Sequence, residues 1–199
     1  RGSAFFITLW SLRVCVKMLG ESYGLWIGGY ALMSFLGFME LGLGPYLIRM
    51  TTQLRVKNAK PEEWAELFSA MLFSYLVIAV MIFVLGYFAA PWCAQFISPD
   101  LSKRGELILA FRLAAFQIAV MQPVGMFIGM VDGSQKLASL GHIAFVETVV
   151  AGVLTVMLLS VYPSIFVIPA ALLISGMVSG IFAFWSTPKE IRSVILPLK

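Results

Sequence analysis

Charged residues are scarce in this chain. Lys, Arg, Asp and Glu make up 12% of its 199 residues, whereas a soluble domain usually carries roughly a quarter. Hydrophobic residues make up 60% of the chain, and the mean hydropathy is +0.94. A chain so poor in charge and so rich in apolar side chains is neither a typical water-soluble domain nor a disordered segment. We therefore expect helices that are embedded in lipid.

Residues that serve catalysis and metal binding are also rare. The chain has one histidine, and its two cysteines, Cys15 and Cys93, are too far apart for a Cys-x-x-Cys motif. Zinc-protease, nucleophile-elbow, P-loop and dinucleotide-binding motifs are all absent. We expect no catalytic residues, no metal site and no cofactor. The basic pI of 9.2 comes without a nucleic-acid-binding motif, so we expect no nucleic-acid partner.

Long uncharged runs predict the membrane spans. The longest cover residues 67–97 and 148–188, and shorter ones cover 22–39 and 113–131. The run 148–188 is too long for one span of about 20 residues, and Pro163 divides it. Backbone groups in lipid must be hydrogen-bonded within their own segment, which requires helices. The pattern predicts an all-α integral membrane protein with six transmembrane helices, at residues 2–19, 23–49, 66–90, 107–131, 141–162 and 167–187.

Basic residues are distributed unequally between the two sides of these spans. The loops after spans two and four and the two chain ends hold nine of the 14 Lys and Arg residues, and the opposite loops hold three. Cytoplasmic loops carry such an excess of basic residues. We expect a multi-pass protein of the inner (cytoplasmic) membrane, with both ends of this chain in the cytoplasm.

The sequence Pro61-Glu62-Glu63-Trp64 predicts the start of a helix. Proline is tolerated in the first turn, and acidic side chains are favoured at the positive end of the helix dipole. Trp64 would then lie at the membrane interface, where aromatic residues are enriched.

Two glutamates within the predicted spans are candidates for ion coupling, because a charge at mid-bilayer costs at least about 2.5–3.5 kcal/mol. Glu40 precedes Leu41-Gly42-Leu43-Gly44-Pro45, a stretch that loosens a helix. Broken helices line the binding cavities of transporters. Glu40 is either an ion or proton site or a structural partner for a neighbouring helix. Glu147, which has apolar flanks in span five, is either a proton site or part of an interfacial pair.

Four residues, Arg13, Arg49, Arg112 and Gln117, are candidates for binding an anionic substrate in a cavity, and Lys17 accompanies Arg13. Arg13 and Lys17 share one helical face, so they either line water and meet an anion or extend to the lipid headgroups. Arg49, at the cytoplasmic end of span two, is either a ligand contact or an anchor. Arg112 begins span four near the outer surface, and Gln117 follows it. Together they would form a cavity wall, unless Arg112 extends to the headgroups.

Two sequence elements within residues 19–49 carry a resemblance to a known family. The first is Leu-Gly-x-x-x-Tyr-Gly-Leu-Trp, from Leu19 to Trp26, and the second is Glu40-Leu-Gly-Leu-Gly, followed by Arg49. In these elements the chain resembles the N-terminal part of the polysaccharide and oligosaccharide flippases of the multidrug/oligosaccharidyl-lipid/polysaccharide (MOP) exporter superfamily. The acidic position is more often Asp in that family, and the rest of the chain matches mainly in its span layout.

The resemblance implies that the protein moves a polyprenyl-pyrophosphate-linked oligosaccharide from the inner to the outer leaflet by alternating access. Family members have two similar lobes around a central cavity. Residues 1–199 would form a single helical lobe, the N-terminal one, and its partners would be membrane lipid, the lipid-linked oligosaccharide and a C-terminal lobe that is absent here. The start at Arg1 rather than Met agrees with a fragment of a longer protein. The pyrophosphate would be bound by arginine, in a forked geometry.

Two other functions are alternatives. A multidrug or cation antiporter of the same superfamily would have acidic residues deep in the lobe and few cations, which Arg13 and Arg112 disfavour. A membrane-bound glycosyltransferase or acyltransferase would need a large polar loop with acidic residues or histidine, and the predicted loops are short.

Overall fold

The computed structural model describes residues 2–40, 42–98 and 100–195, without the side chains of residues 2, 3, 190, 194 and 195. Within these ranges every regular element is helical, which confirms the predicted all-α class. The elements are α1 (Gly2–Leu19), α2 (Glu21–Ser34), a 3-10 helix (Phe35–Glu40), α3 (Leu43–Val56), α4 (Pro61–Ile97), α5 (Leu101–Gly133), α6 (Leu137–Val161), α7 (Val167–Ser186) and α8 (Lys189–Ile195).

Four of these helices, α4 to α7, are long and apolar enough to cross a membrane. They contain or closely match the spans predicted at 66–90, 107–131, 141–162 and 167–187. The bent pair formed by residues 21–40 and α3 would be a fifth span. The chain is therefore an all-α protein with several apolar helices of membrane-spanning length. α1 has the bounds predicted for the first span, and a total of six spans stays a prediction.

The second predicted span, residues 23–49, is broken rather than straight. α2 passes into the 3-10 helix, which ends at Glu40, and α3 then runs in a direction that differs by 41°. Gly42 has a φ of 83°, a backbone conformation that a residue with a side chain rarely adopts. The expected loosening of the helix after Glu40 is confirmed.

α5 lies at the centre of the bundle and contacts α2, α3, α4, α6 and α7. Close approach of its neighbours depends on glycine. Gly29 on α2 faces the buried ring of Phe111, and a Cβ atom at Gly29 would lie 1.8 Å from the ring. Gly180 on α7 packs in the same way against Val124 of α5. Small residues at helix interfaces let backbones approach closely within a membrane.

Basic side chains donate hydrogen bonds to carbonyl groups at the ends of helices on the predicted cytoplasmic side. Arg55 of α3 donates a hydrogen bond to the carbonyl of Ser134, just after α5. The Nζ of Lys136 donates to the carbonyl of Ser186 at the end of α7, at 2.8 Å. A cation is favoured at the negative end of a helix, so these two residues stabilise the bundle in addition to any role in orientation.

The start of α4 at Pro61 is confirmed, but the prediction for Trp64 is wrong. Trp64 is 3% exposed and packs in a cluster with Leu54 and Ile191. The last turns of α3 and the short helix α8 cover it, so the indole lies inside the bundle rather than at the lipid interface. Nothing in the local sequence indicates that two distant segments fold over this turn.

Candidate functional site

Glu40 lies at the break in the second span, and its carboxylate faces the bundle. The hydroxyl of Tyr75, on α4, donates a hydrogen bond of 2.7 Å to Oε1 of Glu40. Tyr75 is 1% exposed and Glu40 is half-buried. A Cβ atom at Gly44 would lie 2.7 Å from the same oxygen, so the missing side chain leaves room for the carboxylate. The break therefore places a carboxylate inside the bundle with one hydrogen-bond donor.

α1, α6 and α7 surround a pocket of about 450 Å³ with a second carboxylate in its wall. Glu147 of α6 lines it together with the hydroxyl groups of Thr8, Ser11, Thr148 and Thr155. Three of these hydroxyls donate to carbonyls of their own helices, so their oxygens still have lone pairs to offer. In the described part of the chain no side chain forms a hydrogen bond or ion pair with Glu147. Such a set of oxygen atoms suits a proton or a small hard cation.

Gln117 of α5 lies in the interior of the bundle and is not among the residues that line this pocket. Its side chain is 8% exposed, and Tyr30 of α2 donates a 3.5 Å hydrogen bond to Oε1 of Gln117. Tyr30 is also close enough to Glu147 to interact with it electrostatically. The structure thus joins the predicted cavity residue Gln117 to Tyr30 of α2, and it shows no contact of Gln117 with Glu147 among the described residues.

Arg112 is on the opposite side of α5 from Gln117. Five helical residues separate them, which corresponds to about 140° around the axis. The guanidinium carbon of Arg112 lies 4.2 Å from the ring centroid of Tyr87 on α4. Its Nε is buried without a hydrogen-bond partner among the described residues. The structure therefore does not bring Arg112 and Gln117 to one cavity wall.

The other candidate cations, Arg13, Lys17 and Arg49, are exposed. Arg13 and Lys17 project from α1, which packs on α6 and α2, and Arg49 projects from α3, which packs on α5 and α4. Among the described contacts none of the three shares a partner with Arg112. The predicted anion-binding residues do not form one cluster within this chain. Their outward faces are open to lipid headgroups, to a substrate or to a further part of the protein.

Sequence reasoning missed the role of Glu106. Oε1 of this residue accepts a hydrogen bond of 2.9 Å from the backbone N–H of Ile165 and a second from the hydroxyl of Ser164. The carboxylate joins the start of α5 to the turn that precedes α7, where unpaired N–H groups attract negative charge. The sequence signal was an acid and a Tyr-Pro-Ser turn on the same predicted side of the membrane, which does not identify the partners.

No protein-family model, curated protein or solved structure matches this chain. The resemblance to the MOP flippases therefore stays a prediction. The class that the fold and the polar sites define is a helical membrane protein with a broken span and carboxylates within its bundle.

Proposed function

We propose that this chain is the N-terminal lobe of a flippase that moves polyprenyl-pyrophosphate-linked oligosaccharide across the cytoplasmic membrane. The observation that carries the proposal is the broken second span with Glu40 at the break. Ionisable groups within membrane helices mark substrate and ion pathways, and interrupted helices recur at transporter binding sites. The second sequence element of the resemblance, Glu40 to Gly44, contains this break, and the first, Leu19 to Trp26, lies upstream of it.

The exposed faces of α1 and α2 would meet the cavity and the second lobe. Arg13 and Lys17 on α1 are exposed alongside large apolar side chains such as Trp10 and Ile27. Apolar surface suits a lobe interface and a polyprenyl chain, and the two cations suit a pyrophosphate. Arg49, exposed in the middle of α3, which continues to Val56, would make a further contact with the substrate. Arginine is the better phosphate ligand because its fork donates two parallel hydrogen bonds.

Glu40 would couple transport to an ion gradient. Tyr75 donates to the carboxylate, an interaction that is strongest when Glu40 is charged. A proton or cation that neutralises Glu40 weakens this hydrogen bond, which otherwise fixes the break between the 3-10 helix and α3. Because the break contains Gly42, loss of the bond lets the backbone there rotate and alters the angle between α2 and α3. Such a change would accompany the rocking of one lobe against the other.

One observation favours a second candidate function, a cation-coupled multidrug antiporter of the same superfamily. The pocket around Glu147 is lined by one carboxylate and several hydroxyl oxygens. These groups suit a cation, and no Lys or Arg lines the pocket to bind an anionic substrate. If the protein is such an antiporter, Glu147 is the principal ion site and Arg13 is dispensable. If it is a flippase, the loss of Arg13 and Arg49 abolishes export.

The experiment is deletion of the complete gene, followed by a leaflet-specific assay of the lipid-linked glycan. Accumulation on the cytoplasmic leaflet with loss of surface polysaccharide supports the flippase. A lipid-linked glycan that is never made would place the protein in a synthetic step, as the membrane-bound transferase alternative requires. An unchanged glycan pool with increased drug sensitivity would support the antiporter.

Complementation then tests the residues. Arg13→Gln and Arg49→Gln, at equal expression, should each lower glycan export about tenfold or more, since one charged hydrogen-bond contact is worth roughly 1.5–3 kcal/mol. Lys60→Gln is the matched control, because it removes an exposed cation from the same predicted side of the membrane. Normal export by both arginine variants would exclude their role in pyrophosphate binding.

A further inference from the structure

A cleft of about 410 Å³ separates α3 from α4 on the predicted cytoplasmic side. The turn at residues 57–60 joins the two helices there, and the cleft extends from this turn along both of them. Polar and apolar side chains line it together. Among them are Tyr46, Gln53 and Lys57 of α3 and Glu63, Glu66 and Met71 of α4.

The cleft begins at the aqueous surface and ends inside the bundle. The side chain of Lys57 is 67% exposed, and it forms an ion pair with Glu63 at the outer end. Glu63 lies before the predicted start of the span at residue 66, and Met71 lies about 12 Å further along α4. Met71 is 3% exposed. The cleft therefore leads from water to the first buried turns of the span.

The inner end of the cleft lies one helical turn from the hydrogen bond between Glu40 and Tyr75. Met71 precedes Tyr75 by four residues, so the two side chains share a face of α4 about 6 Å apart along its axis. On the other wall, Tyr46 follows Gly44 by two residues, and a Cβ atom at Gly44 would lie 2.7 Å from Oε1 of Glu40. Both walls thus end close to the carboxylate, which does not itself line the cleft.

Met71 separates the cleft from this carboxylate. It packs in one buried cluster with Leu47 and Tyr75. Methionine is unbranched and has three rotatable bonds, so its side chain can change rotamer without a shift of the backbone. A rotamer change of Met71 would join the cleft to Glu40.

The charges along the cleft favour a cation over an anion. Two carboxylates, those of Glu63 and Glu66, and one ammonium group, that of Lys57, line it. Lys57 is paired with Glu63, and Glu66 has no ion-pair partner in the described part of the chain. The amide of Gln53 and the hydroxyl of Tyr46 supply further polar groups on the wall that α3 forms. A positive ion that enters the cleft therefore passes an uncompensated negative charge.

A proton suits Glu40 better than a metal cation does. Hard cations such as Ca²⁺ and Mg²⁺ take about six or more oxygen ligands, whereas the described contacts of the Glu40 carboxylate bring it the hydroxyl oxygen of Tyr75. A proton needs a single carboxylate oxygen. Tyr75 of α4 is also the titratable group that these contacts bring to Glu40, and α2 and α5, which pack on the same 3-10 helix, bring none.

We propose that the cleft between α3 and α4 is the entrance through which a proton from the cytoplasm reaches Glu40, with Glu66 near its outer end and a movement of Met71 as the opening step. Cytoplasmic hydronium supplies the proton, which forms an O–H bond on the Glu40 carboxylate and leaves a water molecule. The inference rests on the coupling role proposed above for Glu40, and it adds the side and the route of protonation.

The first experiment measures access to the cleft, with the complete protein in inverted membrane vesicles after replacement of Cys15 and Cys93 by alanine. Single cysteines are placed at Ala70, which lines the cleft, and at Phe73, an exposed position of α4 outside it. A membrane-impermeant thiol reagent with a trimethylammonium group should label Ala70→Cys and leave Phe73→Cys unlabelled. The matching sulfonate reagent should react about fivefold more slowly, after correction for its rate with a free thiol, and Glu66→Gln should remove this difference.

The second experiment measures whether the cleft serves Glu40. Infrared difference spectra of the same vesicles record the carboxyl band that appears on cytoplasmic acidification, and the band of Glu40 is identified by its loss in Glu40→Gln. Ala70→Phe, which fills the cleft, should slow the appearance of this band about tenfold or more. Met71→Ala, which opens the inner end, should accelerate it. Ser69→Phe, at an exposed neighbouring position outside the cleft, is the matched control.

The outcomes separate this proposal from the proposed function. A labelled cleft and a Glu40 band that Ala70→Phe delays support the entrance, whichever substrate the leaflet assay identifies. An unlabelled Ala70→Cys, or unchanged band kinetics in Ala70→Phe, would overturn it. A Glu40 band that responds to Na⁺ at constant pH would overturn the proton as the ion. Absence of any Glu40 band would refute its coupling role and this entrance together, without bearing on glycan export.

Discussion

The hydroxyl of Tyr75 donates a 2.7 Å hydrogen bond to the carboxylate of Glu40, across 35 positions of sequence. Tyr75 is buried in the middle of α4, and Glu40 ends the 3-10 helix at the break in the second span. This bond links the break to the central helices. The carboxylate is thereby held in the bundle at the place where the backbone is least regular.

Removal of either partner should have distinct effects. Tyr75→Phe leaves a half-buried carboxylate without its donor and should lower the free energy of unfolding by about 1–3 kcal/mol. Glu40→Gln keeps the shape but removes the charge and should abolish the dependence of export on the ion gradient. Thermal unfolding in detergent and an export assay in vesicles measure the two effects. Tyr46→Phe, an exposed tyrosine on α3, is the control, and an unaltered gradient dependence of Glu40→Gln would exclude the coupling role.

Gly44→Ala should disturb the same site through steric contact. The new Cβ atom would lie 2.7 Å from Oε1 of Glu40, so the carboxylate must move away from Tyr75. We expect a loss of thermal stability that is relieved in the double variant Gly44→Ala/Glu40→Ala, measured as a double-mutant cycle. Gly125→Ala is the control because open space surrounds that glycine. Equal effects of Gly44→Ala with and without Glu40 would rule out this contact.

The neighbouring glycines Gly28 and Gly29 should respond in opposite ways to alanine. A Cβ atom at Gly29 would penetrate the ring of Phe111, whereas nothing lies within 4 Å of one at Gly28. Gly29→Ala should destabilise the protein by about 1–3 kcal/mol, and Gly28→Ala should be neutral or stabilising by up to about 1 kcal/mol. Thermal unfolding in detergent compares them. Partial rescue of Gly29→Ala by Phe111→Leu would identify the α2–α5 contact, and similar behaviour of both glycines would contradict this packing.

Glu106→Ala should loosen the turn between α6 and α7. The variant removes the acceptor for the Ile165 N–H and the Ser164 hydroxyl and should cost about 1–3 kcal/mol. Hydrogen exchange at the amide of Ile165 measures the effect locally. Glu106→Gln keeps an acceptor and should retain part of the protection, and Glu66→Ala, an exposed acid of α4, should change nothing. Unchanged exchange in Glu106→Ala would mean that the carboxylate does not hold this turn.

Glu147→Gln should remove any stabilisation by a small cation. A cation that binds the folded protein raises its unfolding temperature with concentration. If the hydroxyl-lined pocket is a cation site, Na⁺ stabilises the protein relative to choline at equal ionic strength, and Glu147→Gln abolishes the difference. Thr155→Val, which removes one hydroxyl from the same pocket, should reduce it. The same response to Na⁺ in Glu147→Gln would place the cation elsewhere.

Much of the fold was predictable because backbone groups within lipid have no water to bind and must be hydrogen-bonded in a helix. A helix is required wherever a long apolar run crosses the membrane, so residues 67–97 and 113–131 were assigned without knowledge of their neighbours. The break after Glu40 was also predictable, since Gly42, Gly44 and Pro45 lie within one turn. The C-terminal end of α4 at Ile97 was not, because a helix continues past the hydrocarbon boundary wherever its side chains permit.

The candidate sites were only partly predictable. Glu40 and Glu147 were identified because an acid in an apolar run is costly and therefore informative. Arg112 and Gln117 are close in sequence, yet they face opposite sides of α5. Their five-residue spacing by itself places them about 140° apart on a helix. The structure adds the partner on each side, which is Tyr87 for Arg112 and Tyr30 for Gln117. The partners of Glu106, Ser164 and Ile165, were not identified because they are more than 50 positions away in the sequence.

The sequence by itself determined the class of protein. Scarce charge and long apolar runs leave helices in a bilayer as the arrangement that satisfies the backbone, and the positions of Lys and Arg predict the orientation. Only the tertiary structure decided which polar groups meet. Tyr75 contacts Glu40, and Arg112 contacts Tyr87, because α4 packs against its neighbours. Such contacts depend on the rotation of each helix about its axis and on its depth in the bundle. Glycines such as Gly29 contribute because they let two helices approach closely.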